Sequence, residues 1–150
     1  MKLTADMRLR TGAPDDYPEL QLDGRSLAIV IAELTKNAEI TQLVPAHSWL
    51  WDKEELALAW DRLLACHVGQ VSHVPLLICP DDMDLHCTVL VAEQSCLDSE
   101  FVWSRFGFAM DWAMTHIEWL PAIAPLSFRR ADFVDEVFKY AELCEWSIEI

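Results

Sequence analysis

Three apolar runs lie close together in the second half of this chain, and they constrain its fold more than any other feature. His73 to Cys79 carries Pro75 near its start, Leu85 to Ala92 contains the β-branched residues Thr88, Val89 and Val91, and Phe101 to Phe108 is rich in aromatics. Connections this short suit antiparallel neighbours, because a parallel crossover needs about a dozen residues or more. The spacing predicts an antiparallel meander. In the third run Phe101, Trp103 and Arg105 alternate with Val102, Ser104 and Phe106, so the two sets are expected on opposite faces. Ile117 to Leu120 is a candidate fourth strand, ended by Pro121.

Two helices are legible around this sheet. Asp52 can cap a helix whose first turn holds Glu54 and Glu55 and whose apolar face is Leu56, Ala59, Trp60, Leu63 and Leu64. Arg130 to Leu143 sets Phe133, Val134, Val137, Phe138 and Ala141 on one stripe, expected to face the core. Earlier, Lys2 to Arg10 alternates like a half-exposed strand. Thr11 to Pro18 reads as a loop and Glu19 to Leu22 as a short strand stopped by Asp23-Gly24. Residues 26–34 fit either the second arm of a hairpin or a helix after Ser26, and helix is the preferred reading. Trp146 to Ile150 alternates as a closing strand would. The sum is an α+β fold in a single domain, 1–150: a mostly antiparallel sheet of about four to six strands packed against two or three helices.

Charge is the dominant global property. Twenty-five acidic residues face eleven basic ones, a formal net charge of −14. Direct nucleic-acid binding would bring like charges together and is disfavoured, whereas a basic partner would be attracted. No apolar run approaches the roughly 20 residues of a membrane span, and MKLTADMRLR lacks the apolar centre of a secretory signal, so a cytoplasmic location is expected. The five cysteines are odd in number and form no C-x-x-C pair, which argues against a disulfide framework or a zinc ribbon.

CPDDMDLHC, residues 79–87, is the densest chemistry in the chain. Zinc needs about four ligands in a tetrahedron. Cys79, Asp81 or Asp82, His86 and Cys87 are candidates, but a strand from Leu85 onward would point His86 and Cys87 to opposite faces. An EF-hand lacks its glycine and its closing glutamate. The preferred reading is a tight connection with an acidic tip, begun by Pro80 and carried by Asp81 and Asp82; no metal and no cofactor is expected. Cys66-His67 are neighbours that would diverge on a helix. No G-x-S-x-G, H-E-x-x-H, Walker A or G-x-G-x-x-G occurs.

Seven tryptophans are many for one small core. Trp49 and Trp51 lie two apart before the Asp52 helix, and would share one face if that stretch were extended. Exposed indoles beside carboxylates make a plausible protein-binding surface.

The run VPLLICPDDMDLHCTVLVAEQ, followed by FVWSRFGF, resembles a segment of small uncharacterised bacterial proteins and covers roughly residues 74 to 108. In size and charge the chain is similar to immunity proteins that neutralise a neighbouring toxin. Neither likeness carries a catalytic motif. The expectation is a non-enzymatic, acidic protein-binding protein, most concretely an immunity or inhibitor protein that occludes a basic partner such as a toxin or nuclease. Its candidate contacts are Trp49, Trp51, Asp52, Glu54, Glu55, Asp81, Asp82 and Asp84. The alternatives are a small cysteine/histidine-dependent enzyme and a structural subunit of a homo-oligomeric assembly.

Overall fold

A computed structural model describes residues 2–9, 16–65 and 67–147 of the chain. It is an α+β protein with two antiparallel sheets and four helices. The small sheet has the order β1 (Leu3–Leu9), β2 (Asp16–Leu22), β3 (Arg25–Ser26). The large sheet runs β4 (Val44–Pro45), β5 (Val71–Ile78), β6 (Val89–Cys96), β7 (Glu100–Ala109), β8 (Ile117–Trp119). A further strand, β9 (Leu126–Arg129), also pairs with β7, at the opposite end from β8.

The expected meander is β5, β6 and β7. The middle strand starts at Val89 rather than Leu85, because residues 79–88 form the connection. Two bulges then reset the side-chain alternation. On β7, Glu93 pairs with Arg105 and Gln94 with Trp103, which leaves Ser104 as the extra residue. Phe106 thereby joins Phe101 and Trp103 in one core instead of opposing them, and Arg105 turns outward. On β5 the same device lies at Leu76, between Pro75 and Leu77.

Both β6 faces are covered. Leu90 and Ala92 enter a large core shared with the small sheet, α1 (Leu27–Thr35) and α4 (Arg130–Leu143). Val89 and Val91 enter a second core with Val44, Ala46, Leu50, Leu85 and Met114. The short helix α2 (Ala46–Trp49) and α3 (Lys53–Leu63) close this side, and α3 also sends Trp60 and Leu63 into the first core. Gln94 is buried where the layers meet: its amide donates to the Leu63 carbonyl and its carbonyl accepts from the Trp103 indole, at 3.0 and 2.9 Å. At Gly107 the β8 strand approaches so closely that a Cβ would lie 2.6 Å from Ile117 Cγ2 and 2.7 Å from the Glu118 carbonyl.

Both readings of residues 26–34 have a part in the result. Asp23 and Gly24 have φ of 52° and 77°, the paired positive values of a two-residue hairpin turn, and this turn joins β2 to β3. The helix α1 then begins at Leu27. Strand β2 starts at Asp16, so Asp16 to Pro18 are strand rather than loop, and residues 10–15 lie outside the described residues. Strand β1 buries Leu3 and Ala5 as its alternation predicts. Glu136 of α4 accepts the Ala5 N–H at 2.8 Å, satisfying a donor on that edge. On α4 the core stripe is Phe133, Val137, Tyr140 and Ala141, while Phe138 is exposed. Trp146 stacks on Trp60 outside any strand, and residues 148–150, like Cys66, lie outside the described residues.

His47 is sealed between the Trp60 and Tyr140 rings, with its Nε2–H donating to the Ala59 carbonyl at 2.9 Å. Burial pushes its pKa down to about 4, against the contrary pull of that hydrogen bond. The unfolded chain, with an ordinary imidazole near 6.5, binds the proton more readily than the folded one. The contribution of neutral His47 is thus complete above pH 6.5 and is lost as pH falls toward 4, a total of about 3 kcal/mol. We expect urea stability to fall over this window less steeply in His47→Gln than in the wild type. The wild-type His47 ring signals in NMR should stay in the neutral form until about pH 4; titration near 6.5 would contradict the assignment.

Candidate functional site

The two acidic clusters come together. The first lies at the start of α3. Asp52 occupies the cap position, and its Oδ1 accepts the N–H groups of Glu54 and Glu55 at 2.9 and 3.1 Å. The second is the connection 79–88. Here the Met83 N–H donates to the Cys79 carbonyl at 3.1 Å, and Met83 takes a positive φ of 52°. Asp84 Oδ1 accepts from the N–H groups of His86 and Cys87 at 3.0 and 3.2 Å, a local turn of the kind Asp favours. Cys79 N–H bonds the Thr88 carbonyl at 3.2 Å and closes the base of the loop.

Two contacts join the clusters. Trp51 N–H donates to the Met83 carbonyl at 3.3 Å. Glu55 Oε1 accepts the Leu85 N–H at 2.6 Å, across 30 residues of sequence. Between these ties Leu85 is driven into the second core, only 2% exposed. The two ties set the segments 51–55 and 79–87 side by side; together they contain six carboxylates (Asp52, Glu54, Glu55, Asp81, Asp82, Asp84) and one lysine, Lys53.

The eight candidate contacts divide by role. Trp51 stands out into solvent with 83% of its surface exposed. Trp49 does not share its face: residues 46–49 make a helical turn rather than an extended stretch, and the Trp49 ring packs edge-on against Tyr17 at 5.6 Å and joins the second core. Glu54, Asp81 and Asp82 are exposed. Asp52, Glu55 and Asp84 are held by the backbone bonds just described, so they position the face as well as charge it.

The loop also gathers three ligand-type groups. The Sγ atoms of Cys79 and Cys87 and a carboxylate oxygen of Asp82 all lie within 4.8 Å of one another. The strand argument that separated His86 from Cys87 does not apply, since both precede β6. A hydrogen bond to the Asp82 carboxylate is the largest influence on the Cys87 thiol, and with a smaller contribution from Cys79 it raises the pKa above the ordinary thiol value.

Two further polar groupings escaped the sequence reading, because their members are far apart along the chain. Ser48 donates to the Pro18 carbonyl and lies 3.2 Å from the Tyr140 hydroxyl and 3.8 Å from Cys144 Sγ. Burial raises Tyr140 well above its ordinary value and takes Cys144 to about 11. Tyr140 also borders a void of about 10 Å³, room for roughly one water, whose other polar lining includes Glu19, Ser26 and His47. On the large sheet, Glu93 bonds Arg105 at 2.9 Å and Ser104 at 2.9 Å, and the Arg105 guanidinium lies 3.8 Å over the Trp119 ring. Burial raises the Glu93 pKa, but Arg105, Ser104 and His73 together outweigh it and hold the carboxyl below its usual range. This ladder is satisfied from within.

No protein-family model, curated protein or solved structure matches this chain.

The Glu55 tie is directly testable. Glu55→Ala should cost about 1.5–3 kcal/mol, the range for a hydrogen bond to a charged group, and should speed hydrogen exchange at the Leu85 amide. Glu55→Gln should retain most of the protection because it keeps an acceptor. Unchanged Leu85 exchange in Glu55→Ala would show that the loop is held some other way.

Proposed function

We propose that this chain is an acidic protein-binding protein that covers a basic surface on its partner, with Trp51 as anchor and Glu54, Asp81 and Asp82 as surrounding charge. This reading is supported by the ties of Trp51 to Met83 and of Glu55 to Leu85, which bring the two acidic segments side by side, and by the exposure of the Trp51 indole. A soluble fold ordinarily keeps an indole at least partly covered, since burying one is worth several kcal/mol. Tryptophan is among the residues enriched at interface hot spots. Long-range attraction from a net charge of −14 would speed encounter with a cationic surface. In its most concrete form the partner is a toxin or nuclease whose basic, nucleic-acid-handling site is occluded, and the protein is its cytoplasmic immunity or inhibitor protein.

A cysteine-dependent enzyme is less well supported. A nucleophilic thiol needs its pKa lowered, and the Cys87 pKa is raised by the neighbouring carboxylate. A self-assembling subunit would call for a broad apolar patch. Among the described residues the exposed large apolar side chains besides Trp51 are Met7 on β1, Ile29 on α1, Val68, Val71 and Leu97 around the start of β5 and the end of β6, Met110 and Trp112 on the β7–β8 connection, and Phe138 on α4, so they are spread over several elements.

The test begins with capture of partners from the native cell at low salt. The captured partner should be basic, and Trp51→Ala should weaken it by about 2 kcal/mol, roughly thirtyfold in Kd. Its association rate should fall at least tenfold on raising salt from about 0.01 to 0.15 M. A salt-insensitive association rate, or full affinity in Trp51→Ala, would refute the reading.

A further inference from the structure

We infer that Cys79, Asp82 and Cys87 form a binding site for a zinc ion, with two thiolates and one carboxylate as ligands. The three donor atoms already lie within 4.8 Å of one another. Ligands about 2.0–2.3 Å from a tetrahedral zinc sit a little under 4 Å apart, so closure asks for movements of about an ångström.

The frame that carries them is braced. Cys79 ends β5's side of the loop and is bonded through its N–H to Thr88 and through its carbonyl to Met83, at 3.2 and 3.1 Å. The Cys87 N–H is fixed by Asp84 at 3.2 Å, and the Glu55–Leu85 bond at 2.6 Å anchors the loop between. A loop fixed at both ends and in its middle presents ligands at low ordering cost. Cys79 is half-buried, whereas Asp82 and Cys87 are exposed, so the ion has a path in and the fourth position faces solvent for a water.

The donor set selects the ion. Thiolates favour zinc over magnesium or calcium, which take oxygen ligands. On binding, two S–H bonds break and two Zn–S bonds and one Zn–O bond form. Two protons leave for solvent as one dication arrives, so the charge of the acidic face is unchanged. Asp82 belongs both to this site and to the proposed partner surface.

The experiment titrates the reduced full chain with Zn²⁺ against a chromophoric chelator, and with Co²⁺ as an optical probe. One Zn²⁺ per chain should bind, and Co²⁺ should give a thiolate-to-metal charge-transfer band. Cys87→Ser, at an exposed position, should weaken Zn²⁺ at least tenfold and roughly halve the band. Asp82→Asn should weaken Zn²⁺ at least tenfold and keep the band. Asp81→Asn should leave Zn²⁺ affinity unchanged while reducing binding of a basic partner, which separates this proposal from the previous one. The inference fails if the reduced chain takes up no Zn²⁺, if Cys87→Ser binds it as tightly as the wild type, or if Cys79 and Cys87 stay joined as a disulfide in glutathione buffer of cytosolic poise.

Discussion

Coverage of β6 on both faces is the constraint from which the rest follows. Val89 and Val91 point one way, Leu90 and Ala92 the other, and all four are buried. A strand apolar on both faces needs a layer on each side. The small sheet, α1 and α4 supply one layer. The other is assembled from α2, α3, Met114 on the β7–β8 connection and the loop that delivers Leu85. The loop and the start of α3 are tied by specific polar bonds, Glu55 to Leu85 and Trp51 to Met83. The same ties that complete the core bring the acidic segments side by side.

Elements set by local pattern were legible in the sequence. Asp52 caps α3 as its spacing predicts, and α4 runs from Arg130 to Leu143 as read. What escaped depended on tertiary pairing. The bulge at Ser104 turns Phe106 inward, and nothing in a period-two pattern announces an extra residue. Leu85 reads as the start of a strand but is an anchor for the loop before it. Trp49 and Trp51 would share a face only in an extended stretch; a single helical turn at residues 46–49 sends one ring inward and leaves the other in water. Tyr140 falls outside the stripe read for α4 yet is buried, because its ring meets Trp60 and His47, 80 and 93 positions away.

For the site, the residue types were visible and their meeting was not. The acidic residues at 52–55 and at 81–84 stand out as separate groups in the sequence, and only the fold shows the two segments tied together. The divided roles there follow from physical chemistry. Carboxylates that accept backbone N–H groups, Asp52, Glu55 and Asp84, build the surface. Glu54, Asp81 and Asp82 are exposed, and Trp51 adds exposed apolar area beside the first segment. The cysteines at the loop base add a soft ligand set whose occupation by a dication would leave the surface charge as it is.

The central claim is that residues 51–55 and 81–87 act as one cation-seeking face organised around Trp51. The most direct measurement is an NMR titration of the chain with a short oligo-arginine peptide at low salt, following amide and indole signals together. The account predicts that the Trp51 indole and the amides of both segments shift along a common curve with a single Kd, ahead of other acidic surface residues. Shifts spread over the whole acidic surface with Trp51 unmoved, or separate Kd values for the two segments, would contradict it.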